Sequence, residues 1–103
     1  MEPRIPLDMD KIKAFCAKWK IVEFSLFGSV LTDEFRPDSD VDVMVKFVEP
    51  AIWSLRDLDR MEDELTIIIG RKADLSTKLG VELMRNYIRR NSILRGSRVF
   101  YAA

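Results

Sequence analysis

The sequence contains no histidine and only one cysteine, Cys16. The absence of histidine excludes histidine-based catalytic triads, histidine general bases and most zinc sites. A single cysteine cannot form a disulfide within the chain, so nothing in the sequence requires an oxidising compartment. Any acid–base or metal chemistry must therefore use carboxylates, which favour hard cations such as magnesium.

Long hydrophobic runs and an excess of one charge are also lacking. No apolar run approaches the roughly 20 residues that a membrane-spanning helix needs, and the N-terminus does not resemble a signal peptide. Lysine plus arginine and aspartate plus glutamate both number 17, so global charge points to no polyanionic partner. We therefore expect a cytoplasmic protein with no membrane partner and no direct binding to nucleic acid.

What is present indicates one small domain over residues 1–103. Hydrophobic residues make up 48% of the sequence and charged residues 33%, which is typical of a globular chain and not of a disordered one. A chain of this length buries roughly two thirds of its unfolded surface, enough for a single modest core. No repeat or linker divides it.

Strand and helix patterns alternate along this domain. Apolar runs predict four strands, at 21–27, 41–47, 72–76 and 98–102. Apolar residues recurring every three or four positions predict helices around 12–19, 55–68 and 81–90. Ser54 and Asp57 resemble a capping arrangement for the second helix, Gly70 fits just past its end, and Pro50 interrupts the chain after the second strand. The pattern indicates an α/β (α+β) fold with helices packed on a small mixed β-sheet.

Asp40 and Asp42 stand one residue apart where the second strand begins, in "SDVDVMV". Side chains alternate across a strand, so both carboxylates point to one face, about 7 Å apart, while the valines between and after them face the core. Two close carboxylates repel, and a divalent cation that binds oxygens from both removes the conflict. Asp74 joins this face if the third strand pairs beside the second. Three carboxylates on a rigid sheet can bind one or two magnesium ions, as nucleotidyl transfer by two metals requires.

Gly28 and Ser29 supply a complementary part. Glycine lets the backbone come close to a ligand, and free N–H groups at the start of a turn favour an anion. The Ser29 hydroxyl can add a hydrogen bond to a phosphate oxygen. Each feature alone has a plain structural explanation, since Gly-Ser pairs are common in turns and acids often solubilise a sheet edge. Their combination in this order is far more specific.

Together these residues resemble the minimal nucleotidyltransferases of the DNA polymerase beta superfamily. The pattern of that family is Gly-Ser, a spacer, Ser-Asp-x-Asp followed by apolar residues, and a third aspartate on a later strand. This chain reads "FGS", then a spacer, then "SDVDVMV" and "GRKADLST". The resemblance implies a polymerase beta-like fold and a magnesium-dependent nucleotidyltransferase that uses ATP. It implies that Gly28 and Ser29 contact phosphate and that the metal ligands are Asp40, Asp42 and Asp74, the last also being the candidate base.

One segment departs from that family. Many relatives carry Arg-Ala-Arg-Gly directly after Gly-Ser, whereas this chain carries Val30, Leu31, Thr32 and Asp33. Two positive charges that help to hold a polyphosphate are missing, and an acid stands in place of the glycine. After Glu82 the chain has no acid and five arginines: Arg85, Arg89, Arg90, Arg95 and Arg98. This basic end contacts nucleotide phosphates, contacts an acidic partner surface, or is simply a solvated helix face.

The resemblance also implies a partner protein. The family is typically encoded beside a small helical HEPN-type protein, and the two behave as antitoxin and toxin. The leading interpretation is an antitoxin that transfers AMP from ATP to a tyrosine of that toxin. Two alternatives stay open: a weakly catalytic binding module that neutralises the toxin by occlusion, and a free-standing transferase acting on a small molecule or an RNA end. Association into a homo-oligomer is also left open.

Overall fold

The computed structural model describes residues 5–49 and 52–103. Pro50, expected to end the second strand, lies outside the described residues. The helices are α1 (Met9–Trp19), α2 (Leu55–Ile69), α3 (Lys78–Glu82) and α4 (Tyr87–Gly96). The strands are β1 (Ile21–Phe27), β2 (Val41–Phe47), β3 (Ala73–Thr77) and β4 (Arg98–Ala102), with a 3₁₀ turn at Gly28–Leu31.

The four strands form one mixed sheet in the order β3-β2-β1-β4. Strand β1 pairs antiparallel with both β2 and β4, while β2 and β3 are parallel. A parallel pair needs a crossover connection, and α2 provides it. The expected α/β class and the four strands are confirmed, with β3 beginning one residue later than expected. The condition set for Asp74 is met, because β3 lies beside β2.

The sheet has one well-covered face, which forms the main core. Val41, Val43 and Val45 of β2 are completely buried, as the alternation predicts. They pack with buried side chains of the first two helices: Ile12, Phe15, Cys16 and Trp19 of α1, and Met61 and Leu65 of α2. The predicted caps of α2 are also confirmed. Ser54 and Asp57 form a reciprocal capping box, and Gly70 ends the helix in the left-handed conformation.

The other face of the sheet carries a smaller cluster, called here the α4 cluster, of four buried residues: Phe27, Met44, Val81 and Ile93. Met44 lies on the strand face opposite to the valines, and Val81 and Ile93 bring α3 and α4 against it. By the same alternation, Asp42 shares the face of Met44. The fold therefore places Asp42 beneath the C-terminal helices, away from the main core.

The prediction of a single helix at 81–90 is wrong. The chain forms two helices there, because each has its own N-terminal cap. The Thr77 hydroxyl accepts a hydrogen bond from the Gly80 N–H at 3.0 Å, and Asn86 Oδ1 accepts one from the Arg89 N–H at 3.1 Å. Leu83 and Tyr87 are among the apolar residues whose spacing predicted that helix, and with the break they are 72% and 63% exposed.

Candidate active site

Asp42 and Asp74 occupy paired positions on the parallel strands β2 and β3. Asp40 lies directly before β2, where the Val41 N–H donates to the Lys72 carbonyl at 2.9 Å and fixes the start of one strand against the other. The three aspartates expected to act together thus sit at one end of the two strands. The α2 crossover produces this arrangement, because it returns the chain so that β3 begins beside the start of β2.

The pKa of Asp42 depends on its burial and on the charged groups around it. Asp42 is partly buried, whereas Asp40 and Asp74 are exposed. Burial raises the pKa of Asp42, the carboxylates of Asp74 and Asp40 raise it further, and the guanidinium of Arg89 acts in the opposite direction. Asp74, Asp40 and Arg89 therefore all act on the charge of Asp42.

The backbone of Gly28 lies against the side chain of Asp42. Its φ of +79° lies in the left-handed region that favours glycine, and a Cβ atom at this position would collide with Oδ2 of Asp42. The register explains the contact, since the neighbouring Phe27 pairs with Asp42 across β1 and β2. The backbone at Gly28 therefore comes close to the Asp42 carboxylate, and its approach to a phosphate stays a prediction. The 3₁₀ turn continues through Ser29, whose carbonyl accepts from the Thr32 N–H at 2.9 Å.

A pocket of about 530 Å³ opens between this turn and α4. Such a volume is within the range of small-molecule sites. Its lining residues are Phe27, Gly28, Asp42, Asn86, Ile88, Arg89, Ser92 and Ile93. Among the expected site residues, Gly28 and Asp42 line the pocket, while Ser29, Asp40 and Asp74, all within the described ranges, do not. The contribution of α4 was not predicted by the motif, although an Asn-x-x-Arg cap in an arginine-rich segment is its sequence signal.

Arg71 holds the loop that leads to Asp40. Its Nη1 atom donates to the Pro37 carbonyl at 2.8 Å and to the Arg36 carbonyl at 3.4 Å. The same guanidinium lies 4.9 Å from the centre of the Phe35 ring, in a cation–π contact. Because Arg71 stands just before β3, the loop before Asp40 and the strand of Asp74 are tied together. Nothing in the motif indicates this link, which depends on how α2 ends.

The chemistry of the donor set fits magnesium, which takes carboxylate oxygens. Asp42 and Asp74 face the same region from paired positions, and a cation would relieve the repulsion that raises the pKa of Asp42. In residues 5–49 and 52–103, no group of three or more histidine, cysteine, aspartate or glutamate side chains is arranged to hold a metal ion. Binding of one or two magnesium ions by Asp40, Asp42 and Asp74 stays a prediction.

A family model described as a nucleotidyltransferase domain matches residues 9–98. This chain belongs to that family. Over 61 residues it is 36% identical to the protein adenylyltransferase MntA of Thermococcus cleftensis, a match that covers 59% of this chain and 60% of that protein. The chain therefore spans about three fifths of the length of that curated relative.

Solved structures agree with the family. One described provisionally as a minimal nucleotidyltransferase has a TM-score of 0.66 and 29% identity, over 86% of this chain and 85% of that chain. Another, a toxin–antitoxin with AMP-PNP, has a TM-score of 0.71 and covers 94% of this chain and 75% of that chain. At 15% identity this second likeness concerns the fold alone. The expected nucleotidyltransferase fold is confirmed, and none of the described helices is both long enough and apolar enough to span a bilayer.

Proposed function

We propose that this chain is a magnesium-dependent nucleotidyltransferase that uses ATP and acts as an antitoxin, transferring AMP to a tyrosine of a HEPN-type toxin. The observation that carries the proposal is the pairing of Asp42 with Asp74 beside the Gly28 turn, at the edge of a pocket large enough for a small molecule. The names of the similar proteins support it, since one is a protein adenylyltransferase and another is a toxin–antitoxin with AMP-PNP.

In this proposal each residue has a defined task. Gly28 brings backbone N–H groups to the triphosphate, and Asp40, Asp42 and Asp74 are the residues that would hold magnesium. Bound magnesium would neutralise the charge on the phosphates and on the leaving pyrophosphate. The tyrosine oxygen bonds to the α-phosphorus of ATP, the bond from that phosphorus to the bridging oxygen breaks, and pyrophosphate leaves. Asp74, which is exposed, takes the hydroxyl proton in the role of general base.

The direct test is transfer of label from ATP labelled at the α-phosphate to the toxin expressed with this chain. We expect label on the toxin only with magnesium present, and none with Asp42→Asn or Asp74→Asn. Mass spectrometry of the toxin would locate the AMP on a tyrosine. Absence of label with the wild-type chain, under conditions where the two proteins form a complex, would contradict the proposal.

A second candidate function is neutralisation by occlusion, and one observation favours it. Val30, where many relatives carry arginine, is completely buried in the main core, so this part of the turn offers no cation to a nucleotide. The double variant Asp40→Asn/Asp42→Asn separates the two functions in cells that express the toxin. Loss of protection with unchanged complex formation supports transfer of AMP, whereas full protection supports occlusion.

A further inference from the structure

Helix α4 presents a row of polar side chains to the pocket that Gly28 and Asp42 line on the other side. Asn86, Arg89 and Ser92 recur at intervals of three along the helix, which places them on neighbouring positions of one face. Asn86 Oδ1 is engaged, because it accepts from the Arg89 N–H and caps the helix. Arg89 brings the positive charge of this wall.

The guanidinium of Arg89 is available to a ligand. The Arg89 side chain is exposed, and within residues 5–49 and 52–103 it forms no ion pair and donates no hydrogen bond. Arg89 lines the same pocket as Asp42, so its guanidinium and that carboxylate border one space. Arginine recognises phosphate through a planar fork of N–H donors, and such charge-assisted bonds are among the stronger ones.

The turn that follows Gly28 supplies no such charge to the pocket. Val30 and Leu31 of the 3₁₀ turn are buried in the main core, and the next residues are the neutral Thr32 and the acidic Asp33. Arg36 is the single basic residue between Gly28 and Asp42 in the sequence, and it does not line the pocket. A polyphosphate placed beside Gly28 therefore needs a cation from elsewhere, and α4 offers one across the pocket.

We infer that Arg89 binds the phosphates of the nucleotide from α4 and supplies the positive charge that the turn after Gly28 lacks. The inference rests on the proposed function, because it assumes that the pocket takes a nucleoside triphosphate. It assigns one of the five C-terminal arginines to the nucleotide, and it makes Arg89 a determinant of the preference for ATP over nucleotides with fewer phosphates.

Calorimetric titration with ATP and with AMP, both with magnesium, tests this assignment on the full chain. We expect Arg89→Ala to weaken ATP binding by about 10- to 100-fold, the loss of one or two charge-assisted hydrogen bonds. AMP binding should weaken by a much smaller factor, so the gap between the two affinities should shrink. Arg89→Lys should recover part of the ATP affinity. Arg95→Ala is the matched control, because Arg95 is exposed in the last turn of the same helix and does not line the pocket.

The possible results distinguish failure of the role given to Arg89 from failure of the proposed function. If the wild-type chain binds neither nucleotide, the proposed function and this inference both fail. If it binds ATP and Arg89→Ala behaves like Arg95→Ala, only the inference fails. Equal weakening of ATP and AMP would also overturn it, since that is the result of a residue that merely offsets the charge of Asp42. Thermal unfolding of each variant shows whether the fold is retained, and Arg89→Lys carries the test if Arg89→Ala is unstable.

Discussion

Gly28 and Asp42 touch across the β1–β2 pair so closely that a Cβ atom on residue 28 would collide with Oδ2 of the aspartate. The contact joins the two parts of the motif, the Gly-Ser turn and the first strand carboxylates, into one unit. A side chain at position 28 would have to displace the carboxylate, and with it the geometry of the proposed nucleotide site.

Gly28→Ala should therefore abolish nucleotide binding and lower stability by more than the cost of the backbone alone. A non-glycine residue in the left-handed region costs about 1–2 kcal/mol. Gly70 is the matched control, because its φ is +81° and nothing lies within 4 Å of an added Cβ. Gly70→Ala should show the backbone cost in urea unfolding and keep nucleotide binding. Equal effects of both variants on binding would contradict the role given to the Gly28–Asp42 contact.

Asp42→Asn should raise the stability of the metal-free chain at neutral pH. The pKa of Asp42 is raised in the folded state by burial and by Asp74 and Asp40, so its contribution to stability is present at low pH and lost as pH rises through that pKa. The amide variant lacks this loss. Thermal unfolding with a chelator, followed upward from about pH 4, should show a smaller loss of stability for the variant as the pH rises through the raised pKa of Asp42, and added magnesium should stabilise only the wild-type chain.

Ser54→Ala should destabilise the chain by about 0.5–2 kcal/mol, the usual cost of losing an N-cap hydrogen bond. The Ser54 hydroxyl accepts from the Asp57 N–H at 3.2 Å, so the variant leaves that donor without its cap. Urea unfolding measures the change. Thr77→Ala, at the cap of the short α3, is a useful comparison and should cost less, because far fewer residues of helix depend on it.

Asp57 makes the stability conferred by the cap of α2 depend on pH. Its pKa is lowered, first by the hydrogen bond from the Ser54 backbone N–H and then by that from the hydroxyl. A depressed pKa contributes stability above the ordinary value, and this is lost as pH falls through the folded-state value. Asp57→Asn should therefore reduce stability at neutral pH and flatten its decline in acid. Identical acid unfolding curves for the variant and the wild type would contradict this.

Cys16 should resist thiol reagents while the chain is folded. The residue is completely buried in α1, and burial raises the pKa of its thiol to about 11. The reactive thiolate is therefore scarce as well as inaccessible at pH 8. Ellman's reagent should react slowly with the native chain and rapidly in denaturant, and fast reaction of the native chain would show that α1 opens readily.

Much of this fold and part of this site follow from the sequence. The alternation of Val41, Val43 and Val45 fixes which face of β2 is buried, and so which way Asp42 points. Ser54 and Gly70 mark the ends of α2 by local chemistry alone. The pairing of Asp42 with Asp74 was predictable once β3 was placed beside β2.

The remaining features depend on contacts between segments distant in the sequence. Helix α4 has one buried residue, Ile93, among arginines, asparagine and serine, so no apolar period reveals its face or its approach to the pocket. The bond from Arg71 to the Pro37 carbonyl joins residues 34 positions apart. The Asn-x-x-Arg cap marks the start of α4 but does not reveal that Arg89 reaches the pocket, and Arg71 carries no local pattern at all.

The two faces of the sheet are covered by different numbers of buried residues. The helices on the two faces should therefore unfold locally at different free energies. The main core joins α1 and α2 to the sheet through sixteen buried residues, whereas the α4 cluster has four in the described ranges. Fewer buried contacts mean a smaller free energy of partial unfolding. Backbone amides of α4 should therefore exchange with deuterium well before those of α1, and this wall of the pocket should open locally while the main core stays folded.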